Sequence, residues 1–397
     1  MHLLFLLLLP ILLSAQKVEL GVDRFFTEKE YENYLSKKIG LITNHTGMNS
    51  QFVQTYDLIC PGSLKAIFCP EHGLMGTFHA AEMIGHGEKN GTSVFSLHGE
   101  TRKPTPKMLE GIDLLIYDIQ EIGSRSYTYA STLFYAMEAA KEKNIPVIVL
   151  DRPNPLGGDL VDGPMLGHEL RSFLGYINVP YCHGMTIGEL AKFFNEEYKI
   201  GCDLIVVPMK GWERRMTYME TGLTWLPTSP YIPEPDTPFY YASTGILGGL
   251  ELVNIGIGYT LPFKVVGAPW INAEEFAKKL NEQKLPGVRF VPFSFRPFYG
   301  PFKGKECHGV KIVINDFHEY KPLSVQYLLL GMLKTLYPKE VNKKLKELSH
   351  EKISLFAKLN GNEDFFRWLR EEKYVAWKLI LYQKDERKEF LAKREKY

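Results

Sequence analysis

The stretch FCPEHGLMG, Phe68 to Gly76, places an acid and an imidazole directly after an apolar run. Residues 66–69 have the composition of a buried strand, and Pro70 ends that strand before Glu71 and His72. A carboxyl group at the end of a buried strand is partly desolvated, and desolvation raises the pKa of a carboxylic acid. An acid that stays protonated near neutral pH can donate a proton during glycosidic bond cleavage. We therefore interpret Glu71 as a candidate general acid.

Cleavage of a glycosidic bond usually needs a second carboxylate, which activates water or attacks the anomeric carbon. Asp118, which ends the apolar run GIDLLIYD, is the first candidate for this role, and Glu121 is the second. The alternative for Glu71 is a structural one, in which its carboxylate only accepts hydrogen bonds from a neighbouring loop.

Polar residues follow four predicted strands at the point where each strand ends. In an open parallel sheet, ligands bind beyond the carboxyl ends of the strands. The residues concerned are Asn44 after GLIT, Glu71 and His72 after AIFCP, Asp118 and Glu121 after LLIY, and Asp151, Arg152 and Asn154 after VIVL. We predict that they share one site. The structural alternatives are a simple turn at Asn44, a buried ion pair of Asp151 with Arg152, and a shaped turn at Asn154.

Three further residues are candidates for substrate binding. Arg125 and Tyr127 lie in GSRSYTY, which is unusually polar for a turn between a strand and a helix, although both side chains can also be surface groups. His183 precedes the helix that begins with the capping box Thr186-x-x-Glu189, and a structural role is equally compatible with its position. Glu189 is interpreted as a capping acid and is left out of the site.

Several function classes lack their motifs in this chain. The sequence has no G-x-G-x-x-G after the first strand, no Walker loop, no H-E-x-x-H and no G-x-S-x-G. The histidines at positions 72, 79, 86 and 98 match no known ligand spacing, so we predict neither a metal nor a cofactor. Net charge is +1 with dispersed lysines, which argues against a nucleic-acid partner.

Apolar runs and amphipathic segments alternate through the first half of the chain. Strands are predicted at Lys38–Asn44, in LKAIFCP, SVFSLHG and GIDLLIYDIQ, in IPVIVL and in DLIVVP, with helices in YTYASTLFYAMEAAKEKN and TIGELAKFFNEEYK. Continuous apolar strands between helices indicate a mostly parallel sheet covered on both faces. The predicted fold class is therefore α/β, with a Rossmann-like sheet in residues 16–211.

The character of the sequence changes near Gly211. Residues 212–262 are rich in Pro, Gly, Tyr and Thr, and the proline density predicts ordered loops without a helix. Two strands, GVRFVPFSF and GVKIVIN, and three or four helices are predicted beyond them. We assign residues 212–397 to a second, smaller α+β domain.

The N-terminus carries an apolar run, Leu3 to Leu13, followed by Ser14 and Ala15. A membrane-spanning helix needs about 20 such residues, so no stable membrane anchor is expected here. Small residues after a run of this length are typical of a signal peptide, here residues 1–15, although a buried first strand is the alternative. We expect an exported, periplasmic or extracellular protein. Its five cysteines show no C-x-x-C spacing, and no disulfide can be assigned from the sequence.

The ordered motifs GLITNHTG, FCPEHGLMG, VFSLHGETRKPT, YDIQEIGSRSYTY, VLDRPNPLGG, HGMTIGELA, MKGWERR, TGLTWLPTSP and LPFKVVGAPW resemble those of the NamZ-like exo-β-N-acetylmuramidases. The resemblance extends from about residue 20 to about residue 337. It implies a Rossmann-like domain joined to a smaller C-terminal domain, with the cleft between them. It also implies removal of N-acetylmuramic acid from the non-reducing end of peptidoglycan fragments.

On this resemblance, the family's PEHG glutamate falls on Glu71, and the first acid of its DIQD stretch falls on Asp118. Glu121 replaces the second aspartate. The polar groups of the DRPNP motif fall on Asp151, Arg152 and Asn154.

The chain departs from the family pattern in its second domain. Tyr231 stands in TSPYIP where the family usually has PSPN, and GGLELVNIGIGYT replaces a loop rich in polar residues. When this chain is aligned with the family on LPF, Gly249 and Ile255 stand where the family has two acids. Ile257 stands where it has an Arg, and Leu252 stands where it has an Asn. We expect this loss to reshape the sugar pocket or to remove a catalytic contributor.

The sequence thus predicts an exported, metal-independent glycosidase that acts on a muropeptide-type oligosaccharide. Glu71 would protonate the glycosidic oxygen, Asn44, His72 and His183 would hold hydroxyls or the acetamido group, and Arg125 or Arg152 would bind the lactyl carboxylate. Two other hypotheses stay open: a degenerate homologue that binds muropeptides without cutting them, and a metal-assisted hydrolase of another bond.

Overall fold

The computed structural model describes residues 18–79 and 82–397. The predicted signal peptide, residues 1–15, lies outside these ranges. Within them, no helix combines the length and the apolar character that crossing a bilayer requires.

The first part of the chain builds a seven-stranded sheet with helices. The strands are β1 (Ile39–Thr43), β2 (Leu64–Cys69), β3 (Gly87–Lys89), β4 (Thr92–Ser96), β5 (Leu114–Asp118), β6 (Val147–Leu150) and β7 (Leu204–Val207), and the helices are α1 (Gly21–Thr27), α2 (Glu32–Leu35), α3 (Thr55–Leu58), α4 (Tyr129–Lys143) and α5 (Ile187–Glu197). The strand order is β3-β4-β2-β1-β5-β6-β7. All neighbouring pairs are parallel except β3 with β4. This confirms the predicted α/β fold with a mostly parallel sheet.

The strand order places a switch point between β1 and β5. From β1 the chain first adds β2 and β4 on one side, and it then continues with β5, β6 and β7 on the other. Loops that leave β1 and β5 therefore diverge at their carboxyl ends and leave a crevice there. Every residue of β1 and β5 is buried, as expected for strands covered on both faces.

The second part contains a smaller antiparallel sheet, in the order β8-β10-β9, and many helices. Its elements are α6 (Thr237–Gly249), β8 (Val265–Ala268), α7 (Ala273–Asn281), β9 (Val288–Phe295), β10 (Cys307–Ile314), α8 (Pro322–Leu336), α9 (Pro338–Glu347), α10 (His350–Asn360), α11 (Asp364–Glu371), α12 (Ala376–Leu381) and α13 (Lys384–Arg394). This part contains one strand, β8, and several short helices that the sequence did not predict.

The prediction that residues 212–262 contain no helix is wrong. Helix α6 lies inside this range, and Pro238 occupies its first turn. Proline is tolerated there because the first N–H groups of a helix have no intrahelical acceptor. No further proline occurs before Pro262, so nothing interrupts the helix.

Residues 212–236, which the sequence assigns to the second domain, also contact loops of the first. The Val18 amide donates to the Thr221 carbonyl at 3.0 Å, and the Tyr218 amide donates to the Pro155 carbonyl at 3.1 Å. This segment connects the two parts of the molecule.

Two buried arginines link the C-terminal helices to the first domain. Arg125 donates to the carbonyls of Pro164 and Val179, each at 2.7 Å, and to that of Leu359 in α10 at 3.1 Å. Arg394 in α13 donates to the Gly158 carbonyl at 2.5 Å and to the Gly184 carbonyl at 2.8 Å. The cysteines are free thiols, with four of the five buried.

Candidate active site

Glu71 lies in the turn that follows β2. Its side chain is 13% exposed, so it is neither sealed in the core nor in open solvent. The Thr128 hydroxyl donates to Oε2 at 2.6 Å, and His98 Nε2 lies 3.7 Å from Oε1. Burial lowers the pKa of His98, against the opposing effect of Glu71. A carboxyl group held in one orientation by a hydroxyl and an imidazole is well placed for proton transfer.

Glu71 opens into a cavity of about 190 Å³ between the two domains. The first domain contributes Glu71, His72, Ser126, Tyr127, Thr128, Tyr129 and Leu174, and the remaining lining residues are Ser229, Tyr231, Ile232, Tyr241, Phe263 and Leu359. The volume is below the roughly 300 Å³ at which pockets for drug-sized ligands begin, so the cavity suits a single ring rather than an oligosaccharide. Among these residues Glu71 is the only acid, and none is a lysine or an arginine.

Tyrosine rings form much of the cavity wall. Tyr127 and Tyr129 lie edge to face with ring centroids 4.7 Å apart. Their hydroxyls donate to Thr228, the first to its side-chain oxygen at 3.0 Å and the second to its carbonyl at 2.7 Å. Tyr231 adds a ring that stacks on His79 at 6.1 Å. These rings offer apolar faces to a ligand while their polar ends are bonded elsewhere.

His72 is the other predicted residue that lines the cavity with Glu71 and Tyr127. Its backbone φ is 71°, in the left-handed region, and this turns the chain sharply after Glu71. Its Nδ1 lies 2.7 Å from the Phe78 carbonyl, so the ring is fixed and Nδ1 acts as the donor. The structure thus brings together Glu71, His72 and Tyr127 from the predicted set.

Asp118, at the end of β5, does not reach this cavity. Its side chain is fully buried, with Arg152 Nε 2.5 Å from Oδ1 and Nη2 3.0 Å from Oδ2. Thr55 in α3 donates to Oδ2 at 2.5 Å, and Arg152 also donates to the Met48 carbonyl at 2.8 Å. The pair lies at the carboxyl ends of β5 and β6, in contact with α3 and with the loop after β1. This placement favours a structural role for Asp118 and Arg152.

Glu121 is also enclosed and lies outside the cavity lining. Oε2 accepts a hydrogen bond from the Gly123 amide, and Oε1 has no partner among the described residues. Burial raises the pKa of Glu121 to about 8. This acid is therefore protonated at neutral pH, as a general acid would be, but it is far less accessible than Glu71.

Asp151 and Asn154 hold neighbouring loops in place. Asp151 accepts from the Gly188 amide at 2.8 Å and from the Thr186 hydroxyl at 3.0 Å, at the N-terminus of α5. Burial raises its pKa to about 7. Asn154 donates to the Met185 carbonyl at 3.0 Å and is fully buried. Neither side chain lines the cavity.

The remaining predicted residues are buried away from the cavity as well. Asn44 Oδ1 accepts from the amide and the hydroxyl of Thr46, at 2.9 Å and 2.6 Å. Burial lowers the pKa of His183 to about 3, and its Nδ1 accepts from the Met185 amide at 3.2 Å. The guanidinium of Arg125 is engaged by the carbonyls described above, and its burial lowers its pKa to about 10. Their roles in substrate binding stay predictions.

Sequence reasoning missed several residues around Glu71. Thr128 and Tyr129 belong to the polar turn GSRSYTY, the same turn that contains the predicted Arg125 and Tyr127, so its unusual polarity is the signal that points to them. His98 is one of four histidines whose spacing matches no ligand pattern, so the sequence alone does not assign it to the site. Tyr241 and Phe263 carried no signal, because only the docking of the second domain brings them to the cavity.

The altered loop, residues 248–259, contributes no side chain to this cavity. Leu252 and Ile255 are buried in the core of the second domain. Asn254 donates to the carbonyls of Ile257 and Pro301, each at 3.0 Å, and so fixes the turn. Apolar packing thus occupies positions where the family usually has polar residues.

In the ranges that the structure describes, no three His, Cys, Asp or Glu side chains are close enough together to hold a metal ion.

Comparison with known proteins gives consistent matches along the chain. Residues 39–236 match the family model "Exo-beta-N-acetylmuramidase NamZ, N-terminal", and residues 239–397 match "Exo-beta-N-acetylmuramidase NamZ, C-terminal". The chain is 42% identical over 330 residues to peptidoglycan beta-N-acetylmuramidase NamZ of Bacillus subtilis (strain 168), covering 82% of this chain and 79% of that protein.

Two crystal structures of DUF1343 family proteins from Bacteroides fragilis NCTC 9343 are similar to this chain. One has a TM-score of 0.87 and 38% identity, covering 95% of this chain and 98% of the other. The second has a TM-score of 0.69 and 28% identity, covering 96% and 98%.

We predict that Asp118→Asn destabilises the fold. The substitution removes the negative charge that compensates buried Arg152, and breaking a buried ion pair typically costs about 3–5 kcal/mol. Chemical denaturation measures the change, with Asp113→Asn as the control because Asp113 is exposed at the start of the same strand region. If Asp118→Asn lowers the free energy of unfolding no more than Asp113→Asn does, the structural role of Asp118 is contradicted.

We predict that Glu121→Gln flattens the pH dependence of stability between about pH 4.5 and 8, the ordinary and the raised pKa of this carboxyl group. The raised pKa of Glu121 means that the folded state holds a proton that the unfolded state releases, so wild-type stability falls as pH rises towards 8. Glutamine keeps an acceptor for the Gly123 amide but does not titrate. The slope removed is at most about 1.4 kcal/mol per pH unit. Parallel wild-type and variant curves would show that Glu121 is ionised in the fold.

Proposed function

Because this chain belongs to the NamZ exo-beta-N-acetylmuramidase family, we propose that it is a glycosidase that releases N-acetylmuramic acid from the non-reducing end of peptidoglycan fragments. The observation that carries this proposal is Glu71, the single acid in a ring-sized, tyrosine-walled cavity between the domains. A cavity of this size suits a terminal sugar, which supports exo-acting cleavage.

Glu71 supplies the proton in this mechanism. Its carboxylic acid donates to the glycosidic oxygen as the bond between that oxygen and the anomeric carbon breaks. Thr128 and His98 orient the carboxyl group from opposite oxygens. After departure of the leaving group, the resulting carboxylate can accept a proton from the incoming water.

The cavity lining supplies no second carboxyl group to serve the anomeric carbon. Asp118 is bound by Arg152 and Thr55, and Glu121 is enclosed, so neither lines the cavity with Glu71. Some glycosidases that act on N-acetylated sugars use the acetamido group of the substrate instead of a second carboxylate. We propose this route: the acetamido oxygen attacks the anomeric carbon, the leaving oxygen takes the proton from Glu71, and water opens the cyclic intermediate.

We further propose that the protein works outside the cytoplasm in turnover and recycling of the cell wall. The apolar run at residues 3–13, followed by Ser14 and Ala15, supports export.

A second candidate function is binding of muropeptides without cleavage. The absence of a second carboxyl group from the cavity lining favours it, as does the apolar loop at residues 248–259. Calorimetry with a muramic acid disaccharide distinguishes the two functions, because heat of binding without release of free sugars over hours would indicate a binding protein.

We predict that Glu71→Gln lowers the rate of cleavage of a chromogenic β-muramide by about 100- to 10,000-fold, the usual contribution of a general acid. Glutamine has nearly the same shape and can still accept a hydrogen bond from Thr128, so the fold should be retained. The measurement is kcat/KM, together with the melting temperature of the variant.

Glu110→Gln is the matched control, since Glu110 is an exposed glutamate of the same domain away from the cavity. Retention of most activity by folded Glu71→Gln would refute the assignment of Glu71 as the proton donor.

We predict that fluorination of the acetamido methyl group of the substrate progressively lowers kcat, because fluorine withdraws electrons from the attacking oxygen. The series acetyl, monofluoroacetyl, difluoroacetyl and trifluoroacetyl measures the trend. A flat series would indicate that a protein carboxylate attacks instead.

A further inference from the structure

Arg102 is an exposed arginine with no carboxylate partner in the ranges that the structure describes. Its guanidinium carbon lies 4.4 Å from the centroid of the Phe173 ring, over which the group is stacked. This contact leaves the planar N–H donors available, because cation–π stacking uses the face of the guanidinium.

A chain of ring contacts connects Arg102 to the candidate general acid. The Phe173 ring lies 6.0 Å from that of His98, and His98 Nε2 lies 3.7 Å from Glu71 Oε1. Leu174, the next residue after Phe173, lines the cavity. Arg102 also acts electrostatically on His98 and lowers its pKa, although burial has the larger effect. The guanidinium thus lies outside the cavity lining, on the far side of Phe173 and His98 from Glu71, and next to the segment that contributes Leu174.

The loop that carries Arg102 is fixed by its neighbours. The Thr101 hydroxyl donates to the Lys103 carbonyl at 2.7 Å and accepts from the Lys103 amide at 3.2 Å. The Lys103 ammonium is 2.6 Å from Glu142 Oε1 and 3.7 Å from Glu138 Oε2, both in α4. Lys103 is thus neutralised, while Arg102 keeps an unpaired charge in a defined place.

A cation of this kind is what the proposed substrate requires and what the cavity lining lacks. Muramic acid differs from glucosamine by a lactyl ether that ends in a carboxylate, and a planar guanidinium can bind a carboxylate through two hydrogen bonds. The two arginines that the sequence suggested for this task are committed elsewhere, Arg125 to backbone carbonyls and Arg152 to Asp118.

We propose that Arg102 binds the lactyl carboxylate of the terminal muramic acid and so makes the site specific for this sugar. This inference rests on the proposed function. In the substrate, the pyranose ring and the lactyl ether separate the carboxylate from the anomeric carbon. In the protein, the rings of His98 and Phe173 separate Arg102 from Glu71. Arg102 acts in binding and takes no part in bond cleavage.

The test compares three chromogenic substrates: a β-muramide with its free lactyl carboxylate, the same compound as a neutral lactyl methylamide, and the β-N-acetylglucosaminide. The methylamide also mimics the linkage to a peptide stem. We expect the wild type to prefer the free acid. In Arg102→Gln, KM for the free acid should rise about 10- to 100-fold, corresponding to loss of a charged hydrogen-bonded pair, with little change in kcat.

The methylamide and the glucosaminide should respond little to Arg102→Gln, and Arg102→Lys should recover part of the affinity for the free acid. Arg367→Gln, which removes the same charge from an exposed residue of α11, is the control and should behave as the wild type. Equal losses on the acid and the methylamide, or an unchanged preference for the acid, would overturn the proposal.

Failure of the proposed glycosidase function can be told apart from failure of the inference about Arg102. If the wild type cleaves none of the three substrates, calorimetry of the free acid and the methylamide with wild type and Arg102→Gln replaces the kinetic comparison. Loss of affinity for the acid alone would support the role of Arg102 in a binding protein, and equal affinities in both proteins would exclude it.

Discussion

The buried pair of Asp118 and Arg152 is the contact on which the geometry of the candidate site depends. It joins the carboxyl ends of β5 and β6, and Thr55 and Met48 attach α3 and the loop after β1 to the same point. Two charges removed from water are tolerated only when their hydrogen-bonding groups are satisfied, so the pair specifies one arrangement of these loops. The turn that begins at Glu121 and ends at Thr128 starts from this fixed edge. Its far end supplies the hydroxyl that orients Glu71.

Much of the first domain follows from local patterns in the sequence. The predicted runs at β1, β2, β5 and β6 are short, continuous and apolar, as strands of a buried parallel sheet are, and α4 and α5 have helical periodicity. The prediction that the polar residues at the carboxyl ends of these strands share one site stays a prediction, because only Glu71 and His72 among them line the cavity. The resemblance to a family agrees with the matches found along the chain.

The sequence did not show which of the polar residues at the carboxyl edge of the sheet line the cavity and which hold loops in place. A polar residue at a strand end can face a cavity or can satisfy buried backbone groups, and both uses select Asp, Asn and Arg. Asp151 accepts hydrogen bonds at the N-terminus of α5, while Glu71 faces a ligand-sized space, yet both simply follow apolar strands. Helix α6 was missed for a related reason, because one proline in the first turn looks like the prolines of a loop. Tertiary docking decides these cases, and it leaves no local signature.

The position of Arg394 bears on how the molecule is made. This arginine lies in the final helix, yet its guanidinium donates hydrogen bonds to the carbonyls of Gly158 and Gly184, near the middle of the chain. A ribosome releases the central segment long before it adds α13, so those carbonyls must stay hydrated or find temporary donors in the interval. Docking of α13 against the first domain is therefore a late event in biogenesis.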